Sequence, residues 1–332
     1  MDELAFVTGG NGFIGANLVR LLLRQGWRVR ALVRDRTKAR NLAGLDVDLV
    51  EGDLLTDDLA ARMAGCRAVF HVAAHYSLFQ ADKEVLWRSN VLGTRSVLAA
   101  ARRAQVERVV YTSSVAAIGV GGPLTDETYQ SPPEKLIGAY KQSKYWAEQE
   151  AKRAVQSGQD VVIVNPAAPI GPWDSKPTPT GEIILRFLRR QMPFYLETGL
   201  NFIHVGDVAA GHLAAFERGR TGERYILGHR NLSLKQLFDE LERITGIAAP
   251  QFTVPEWLPL GVAWFDEQLL APLTGRPPAV AIDAVRMAAQ TMYYDATKAV
   301  RELDLPQTPV RLALEDAVDW FLKNGYAGAA GG

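Results

Sequence analysis

The stretch Leu4-Ala5-Phe6-Val7-Thr8-Gly9-Gly10-Asn11-Gly12-Phe13-Ile14-Gly15 decides how this chain is read. An apolar run of strand type ends at Thr8, glycines follow at 9, 12 and 15, and a helical pattern opens with Phe13, Ile14, Leu18 and Leu22 on one face. Glycine is needed where a backbone turns tightly, where it approaches a pyrophosphate, and where a helix packs on a strand. The start of the helix offers unpaired N–H groups and a partial positive charge to an anion. Plain turns use glycine too. Between a first strand and a first helix, however, the pattern predicts a dinucleotide-binding loop, with Gly9, Gly12, Phe13, Ile14 and Gly15 against the cofactor.

Working outward, β-branched runs at Arg28 to Val33, Val47 to Val50, Ala68 to Val72, Arg108 to Thr112 and Val161 to Asn165 read as strands buried on both faces. Helical patterns separate them, and Thr56 with Asp57 and Asp58 reads as a helix start. This alternation predicts an α/β fold, a doubly wound parallel sheet over residues 1–165. From Pro166 to Pro179 dense prolines predict an irregular loop. Helices are then expected near 182–191, 207–217, 233–245, 256–270, 279–289 and 309–323, with few strands, chiefly near 202–205 and 225–227. Ser233 with Gln236 forms a capping box, and Thr308 before Pro309 an N-cap. Residues 166–201 and 218–325 are expected to make a smaller, mainly helical substrate lobe, with a return strand and helix near 202–217 rejoining the first domain.

Composition excludes several classes. Lys plus Arg and Asp plus Glu are both 37, so no basic field points to nucleic acid or anionic membranes. No run of 18 apolar residues could span a bilayer, and the opening Met-Asp-Glu lacks the basic region of a signal peptide, so a cytoplasmic protein is expected. A single cysteine, Cys66, excludes an internal disulfide and a cysteine-rich metal site; it reads as a small buried hydrophobe. Trp257, Leu260, Trp264 and Phe265 make an apolar stripe at helical spacing. Core or pocket wall is expected there rather than membrane docking, because Asp266 and Glu267 interrupt it.

About 20 residues past the glycine loop, dinucleotide folds select their cofactor. This chain has Val33-Arg34-Asp35-Arg36-Thr37-Lys38 at that point. Arg34, with Lys38 nearby, suits the 2′-phosphate of NADP(H), while Asp35 could serve the ribose of NAD(H). NADP(H) is the expectation and NAD(H) the alternative. Farther on, Tyr140-Lys141-Gln142-Ser143-Lys144 sets a tyrosine and a lysine four apart on one helical face. An ammonium beside a phenol would lower its pKa from about 10 and make it a usable proton donor and acceptor.

Together with Asp53, His71-Val72-Ala73-Ala74, Asn90-Val91-Leu92-Gly93-Thr94, Thr112-Ser113-Ser114 and Asn165-Pro166, these motifs resemble the extended short-chain dehydrogenase/reductase superfamily along nearly the whole chain. The resemblance implies Tyr140 as acid/base, Lys144 on the nicotinamide ribose, and Ser114 (Ser113 less so) on the reacting oxygen. It further implies Asn90 supporting the helix and a relay water, Asp53 and Leu54 on adenine, Ala73 and Ala74 along the cleft, and Pro166 with Ala167 beside the nicotinamide. It also implies a homodimer paired through the helices that carry Asn90 and Tyr140, where Trp146 lies.

Val29-Arg30-Ala31-Leu32-Val33-Arg34-Asp35 is similar to the dihydroflavonol-reductase-like group. Val164-Asn165-Pro166-Ala167-Ala168-Pro169-Ile170-Gly171-Pro172 and Gly222-Glu223-Arg224-Tyr225-Ile226-Leu227-Gly228 are similar to the hopanoid-associated sugar epimerase subgroup. Two readings stay open: an NADP(H)-dependent ketone or aldehyde reductase, and a nucleotide-sugar epimerase or dehydratase that retains NAD(P). A third, a redox sensor without turnover, would lack Tyr140. His75, Tyr76, Phe79, Trp173, Phe202 and His204 are the expected substrate lining for a small carbonyl compound. His204 and Asp207 also suit a structural role. Arg186, Arg189 and Arg190 could hold a diphosphate or form a solvated face.

Overall fold

Alternate residues of each early strand enter opposite cores, so both faces of the sheet are covered. Val7, Phe70, Val110, Val162 and Val164 join Leu18, Val19 and Leu22 of the helix Phe13–Arg24 and Val208 and Ala209 of the helix Val205–Arg218. Their neighbours Phe6, Val69, Val109, Tyr111, Val161 and Ile163 join Val97 and Leu98 of the helix Gly93–Arg103 and Ala147 and Ala151 of the helix Gly138–Gln156.

The computed structural model describes residues 3–267, 271–274 and 282–327. The strands are β1 (Leu4–Thr8), β2 (Arg28–Val33), β3 (Asp48–Glu51), β4 (Ala68–His71), β5 (Arg108–Thr112), β6 (Val161–Pro166), β7 (Ala168–Ile170), β8 (Phe194–Tyr195), β9 (Gly199–His204), β10 (Arg224–Leu227), β11 (Arg230–Ser233) and β12 (Phe252–Thr253). Seven of them form an all-parallel sheet in the order β3-β2-β1-β4-β5-β6-β10. The chain runs outward from β1 to β3, then crosses to β4 and runs the other way. A crevice therefore opens beyond the carboxyl ends of β1 and β4, where such folds bind ligands. A second sheet, β11-β9-β7, carries its own core of Phe187, Phe202, Phe238, Leu241, Leu314 and Phe321.

The expected doubly wound α/β sheet is present, and several local expectations need correction. The strand near 225–227 is the seventh strand of the main sheet and not part of the second lobe: Tyr225 registers with Val164 of β6, and β10 is almost wholly buried. The proline-rich stretch is not wholly irregular, because Ala168–Ile170 pairs in parallel with β9. Pro169 is tolerated there because β7 lies at the sheet edge. The short helix near Thr56 begins at Leu59, capped by Asp58, whose carboxylate accepts from the Ala60 N–H. The capping box of Ser233 and Gln236 forms as expected.

Thr308 caps nothing. Its hydroxyl and its N–H both donate to the buried carboxylate of Asp207, at 2.8 and 2.7 Å, and the last helix starts at Val310 without a side-chain cap. The apolar stripe also departs from expectation. On the helix Trp257–Phe265, Trp257 is 70% exposed, Trp264 54% and Phe265 50%, so these rings are not core; Ala263 is the one fully buried member. Expected helical positions 268–270 and 279–281 lie outside the described residues; the following helix is described over Ile282–Ala289.

Asp207 ties the helix Val205–Arg218 to the segment that leads into the last helix. Hydrogen bonds to a charged group are worth about 1.5–3 kcal/mol. Asp207→Ala should cost about 2–3 kcal/mol in urea unfolding, and Asp207→Asn less. A loss below about 0.5 kcal/mol would show that the tie carries no weight.

Candidate active site

The glycine loop fits a dinucleotide for steric reasons. Gly9 adopts φ +71, and a Cβ there would lie 2.6 Å from the Ala73 nitrogen; a Cβ at Gly15 would lie 2.1 Å from the Gly9 oxygen. The loop after β1 thus touches the loop after β4 backbone to backbone, and the Ala73 N–H donates to Thr8 Oγ1 at 3.2 Å. Gly12 caps the helix Phe13–Arg24, with neither a side-chain cap nor an acidic residue in its first turn. Among the described residues no side chain accepts from the N–H groups of Phe13, Ile14 and Gly15, the donor set a pyrophosphate needs.

Sequence reasoning passed over the residue that braces this loop. Asn41, buried, donates to the Asn11 carbonyl at 3.1 Å, to the Trp173 carbonyl at 3.1 Å and to Ser175 Oγ at 2.9 Å, while its N–H donates to Asn11 Oδ1 at 3.0 Å. A single asparagine gives little sequence signal. Beyond β2, Arg34 is exposed and makes no ion pair among the described residues. Asp35 is engaged: it accepts from Thr37 N–H and Oγ1 at 2.9 and 2.6 Å and pairs with Lys38 at 2.9 Å. Those hydrogen bonds, with the Lys38 charge, hold its carboxyl down at about 2. Asp53 accepts from the Leu55 N–H at 2.8 Å, and Leu54 packs against Gly93.

Tyr140 is the third residue of the helix Gly138–Gln156, in its first turn, with Ser114 opposite, two residues beyond β5. Burial pushes the phenol up to about 12, and the Ser114 hydroxyl pulls the other way. The Tyr76 ring meets the Tyr140 ring edge-on with centroids 4.6 Å apart. Lys144 does not do what helical spacing predicts. Its ammonium donates to the Thr112 carbonyl at 2.9 Å and approaches the Tyr111 hydroxyl at 3.5 Å, and no hydrogen bond joins it to Tyr140. Burial lowers Lys144 to about 8 against an opposing pull from Glu148. The expected lowering of the phenol pKa is therefore not found; desolvation wins over a cation that is bonded elsewhere.

Asn90 sits in a π-helical turn, Trp87–Leu92. Its carboxamide accepts from the His75 N–H at 2.7 Å and donates to the His75 carbonyl and to Ser143 Oγ, both at 2.9 Å. It clasps the loop holding Ala74, His75 and Tyr76 to the Tyr140 helix. Below lies a charge that sequence reasoning missed. Glu148 is buried and accepts from Ser113 Oγ at 2.7 Å, Asn165 Nδ2 at 2.9 Å and Arg224 at 3.1 Å, with Lys152 at 3.0 Å. Burial raises its pKa, but Lys152, Arg224, Ser113 and Asn165 outweigh that and hold it below the usual range. Its spacing from Tyr140 and Lys144, eight and four residues, was the available signal.

Three expected lining residues are occupied elsewhere. Trp173, at φ +75, stacks on Arg20 at 3.4 Å and packs near Trp320. His204 caps the helix Val205–Arg218 through Gly206 and meets Asp316 at 3.0 Å, the structural alternative. Phe202 is core. Pro166 ends β6, paired with Leu227. Arg186 pairs with Glu182, and Arg189 donates to the Tyr326 carbonyl. Cys66 is buried, and burial pushes its thiol up to about 11. Among the described residues no helix is long and apolar enough to cross a membrane, and no cluster suits a metal.

Lys141 and Lys144 are both pulled to about 8 by burial, whereas an unfolded lysine titrates near 10.4. Between those values the unfolded chain binds more protons, so both groups make stability rise with pH from about 8 to 10. In urea titrations, replacing both by Met should flatten this rise relative to the wild type. An identical slope in both proteins would refute the buried ammonium groups.

Comparison with known proteins agrees with this geometry. The model of the NAD dependent epimerase/dehydratase family matches residues 5–228. A protein of Synechocystis sp. provisionally named dihydroflavonol 4-reductase is 64% identical over 98% of this chain and 96% of its own. Sterol demethylase protein B of Methylococcus capsulatus is 36% identical over 96% of this chain and 98% of its own. The crystal structure of gox2253 superposes with a TM-score of 0.86 at 42% identity, covering 98% of this chain and 99% of that one. The chain is thus a member of the NAD dependent epimerase/dehydratase family, within the extended short-chain dehydrogenases/reductases.

Proposed function

We propose that this chain is an NADP(H)-dependent reductase of a ketone or aldehyde, with Tyr140 as the proton donor. The observation that carries this is the placement of Tyr140, whose phenol meets the Ser114 hydroxyl just beyond β5 and can give its proton to an oxygen that gains negative charge. A bound NADPH supplies the hydride to the carbonyl carbon. Tyr140 hands its phenolic proton to the carbonyl oxygen and regains one from solvent, while Ser114 hydrogen-bonds that oxygen. Lys144 lies beneath, where it would meet the ribose. Asn90 keeps the His75–Tyr76 loop against this group. The family description keeps the epimerase or dehydratase as the second reading.

Arg34 supports NADP(H), because it has no ion-pair partner among the described residues while Asp35 already has Thr37 and Lys38. The name of the Synechocystis relative supports net reduction. We also propose a homodimer formed over the exposed Trp87 and its neighbour Trp146, and a cytoplasmic location.

Two experiments test this. Tyr140→Phe should bind NADPH as the wild type does and lose about 10²–10⁴ in turnover; undiminished turnover would remove the tyrosine from the mechanism. Arg34→Asp should weaken NADPH by about ten- to a hundredfold and leave NADH nearly unchanged. Equal losses for the two cofactors, or NAD found tightly retained in purified protein with no net redox turnover, would favour the epimerase.

A further inference from the structure

The residue after Tyr140 is a buried charge that makes no ion pair among the described residues. Lys141 is 3% exposed, and its ammonium has one strong acceptor, Gln290 Oε1 at 3.0 Å, with Met292 Sδ at 3.8 Å. An ammonium has three donors, and a buried charge without a counter-ion is costly. Arg224, comparably enclosed, has Glu148. Lys141 has no carboxylate partner among the described residues, and Asp283, which faces Gly138 from the helix Ile282–Ala289, is engaged with Arg286. Residues 268–270 and 275–281 include no acid.

The charge also stands in a telling place. Met292, 3.8 Å from the ammonium, packs against the cluster that contains Val115, and Val115 directly follows Ser114. The ammonium is therefore joined through Met292 to the segment that carries Ser114. Its present acceptor is a carboxamide oxygen, the neutral isostere of a carboxylate. Space that holds a planar sp² group suits a carboxylate better than a tetrahedral phosphate.

We propose that Lys141 is a carboxylate anchor, so that the substrate is an oxo acid whose carboxylate displaces the Gln290 side chain while its carbonyl lies between Tyr140 and Ser114. This rests on the reductase reading above and narrows its substrate class. The gain is an ion pair made where water is scarce, which strengthens it. Selection arises because the neutral analogue leaves the buried cation as it was.

The test compares 2-, 3-, 4- and 5-oxo acids with their amides, following NADPH oxidation by wild type, Lys141→Met and Gln290→Glu. At least one acid should exceed its amide by tenfold or more in kcat/KM, mainly through KM. Both substitutions should bring that ratio to about one, Gln290→Glu because it supplies the carboxylate internally. A ratio near one across the wild-type panel, or a preference kept in Lys141→Met, overturns the anchor; should that variant not fold, Gln290→Glu decides. A second arm needs no turnover: thermal melting with NADPH plus hexanoate or hexanamide. Hexanoate should stabilise the wild type more than hexanamide does and lose that advantage in both variants. Equal shifts in the wild type overturn the anchor. If nothing in the panel is reduced but hexanoate binding depends on Lys141, the reductase reading fails and the anchor stands.

Discussion

The backbone contact between Gly9 and Ala73 is the constraint on which the rest of the site depends. β1 and β4 lie side by side at the point where the strand order reverses, and the loops leaving them meet with no room for a single Cβ. This closeness sets the crevice width and aims the first helix at its mouth. Thr8 and Asn41 reinforce it by hydrogen bonds on either side. A side chain at residue 9 would push apart the two loops that any dinucleotide must bridge.

A second layer of order comes from buried polar groups under the Tyr140 helix. Glu148 collects Ser113, Asn165 and Arg224, thereby joining β5, β6 and β10 to that helix; Asn90 joins the loop after β4 to it through Ser143 and His75. Such a network is costly when incomplete and rigid when satisfied. Among the described residues Asn165 Oδ1 is buried without a hydrogen-bond partner. Buried, neutral His71 and His212 continue the pattern, bridging Thr8 to Thr94 and Thr112 to the Val208 carbonyl. The position of the Tyr140 helix thus rests on a buried network that reaches from the loop after β4 to β10.

Tyr140 and Lys144 also show how far spacing can be trusted. Four residues apart, they share a helical face, yet the ammonium turns to the Thr112 carbonyl at the end of β5. In a dry interior that carbonyl, at 2.9 Å, holds the ammonium, and no hydrogen bond joins it to the phenol. The phenol then feels desolvation first, and its pKa moves up rather than down.

Sequence alone determined the parallel sheet, the glycine loop and the two residues of the Tyr–Lys motif, because strand and helix periodicities and glycine requirements are local. It also placed Ser114, Asp53 and Pro166 at strand ends. Tertiary structure decided the rest. Whether β10 joins the main sheet depends on its pairing with β6, some 60 residues away in sequence. Whether Trp173 lines a cleft or stacks on Arg20, and whether Trp257 is core or exposed, depends on what packs opposite. Which cation meets which acceptor is settled by competition among groups brought together only on folding, and a pKa records the outcome of that competition, not the spacing that precedes it.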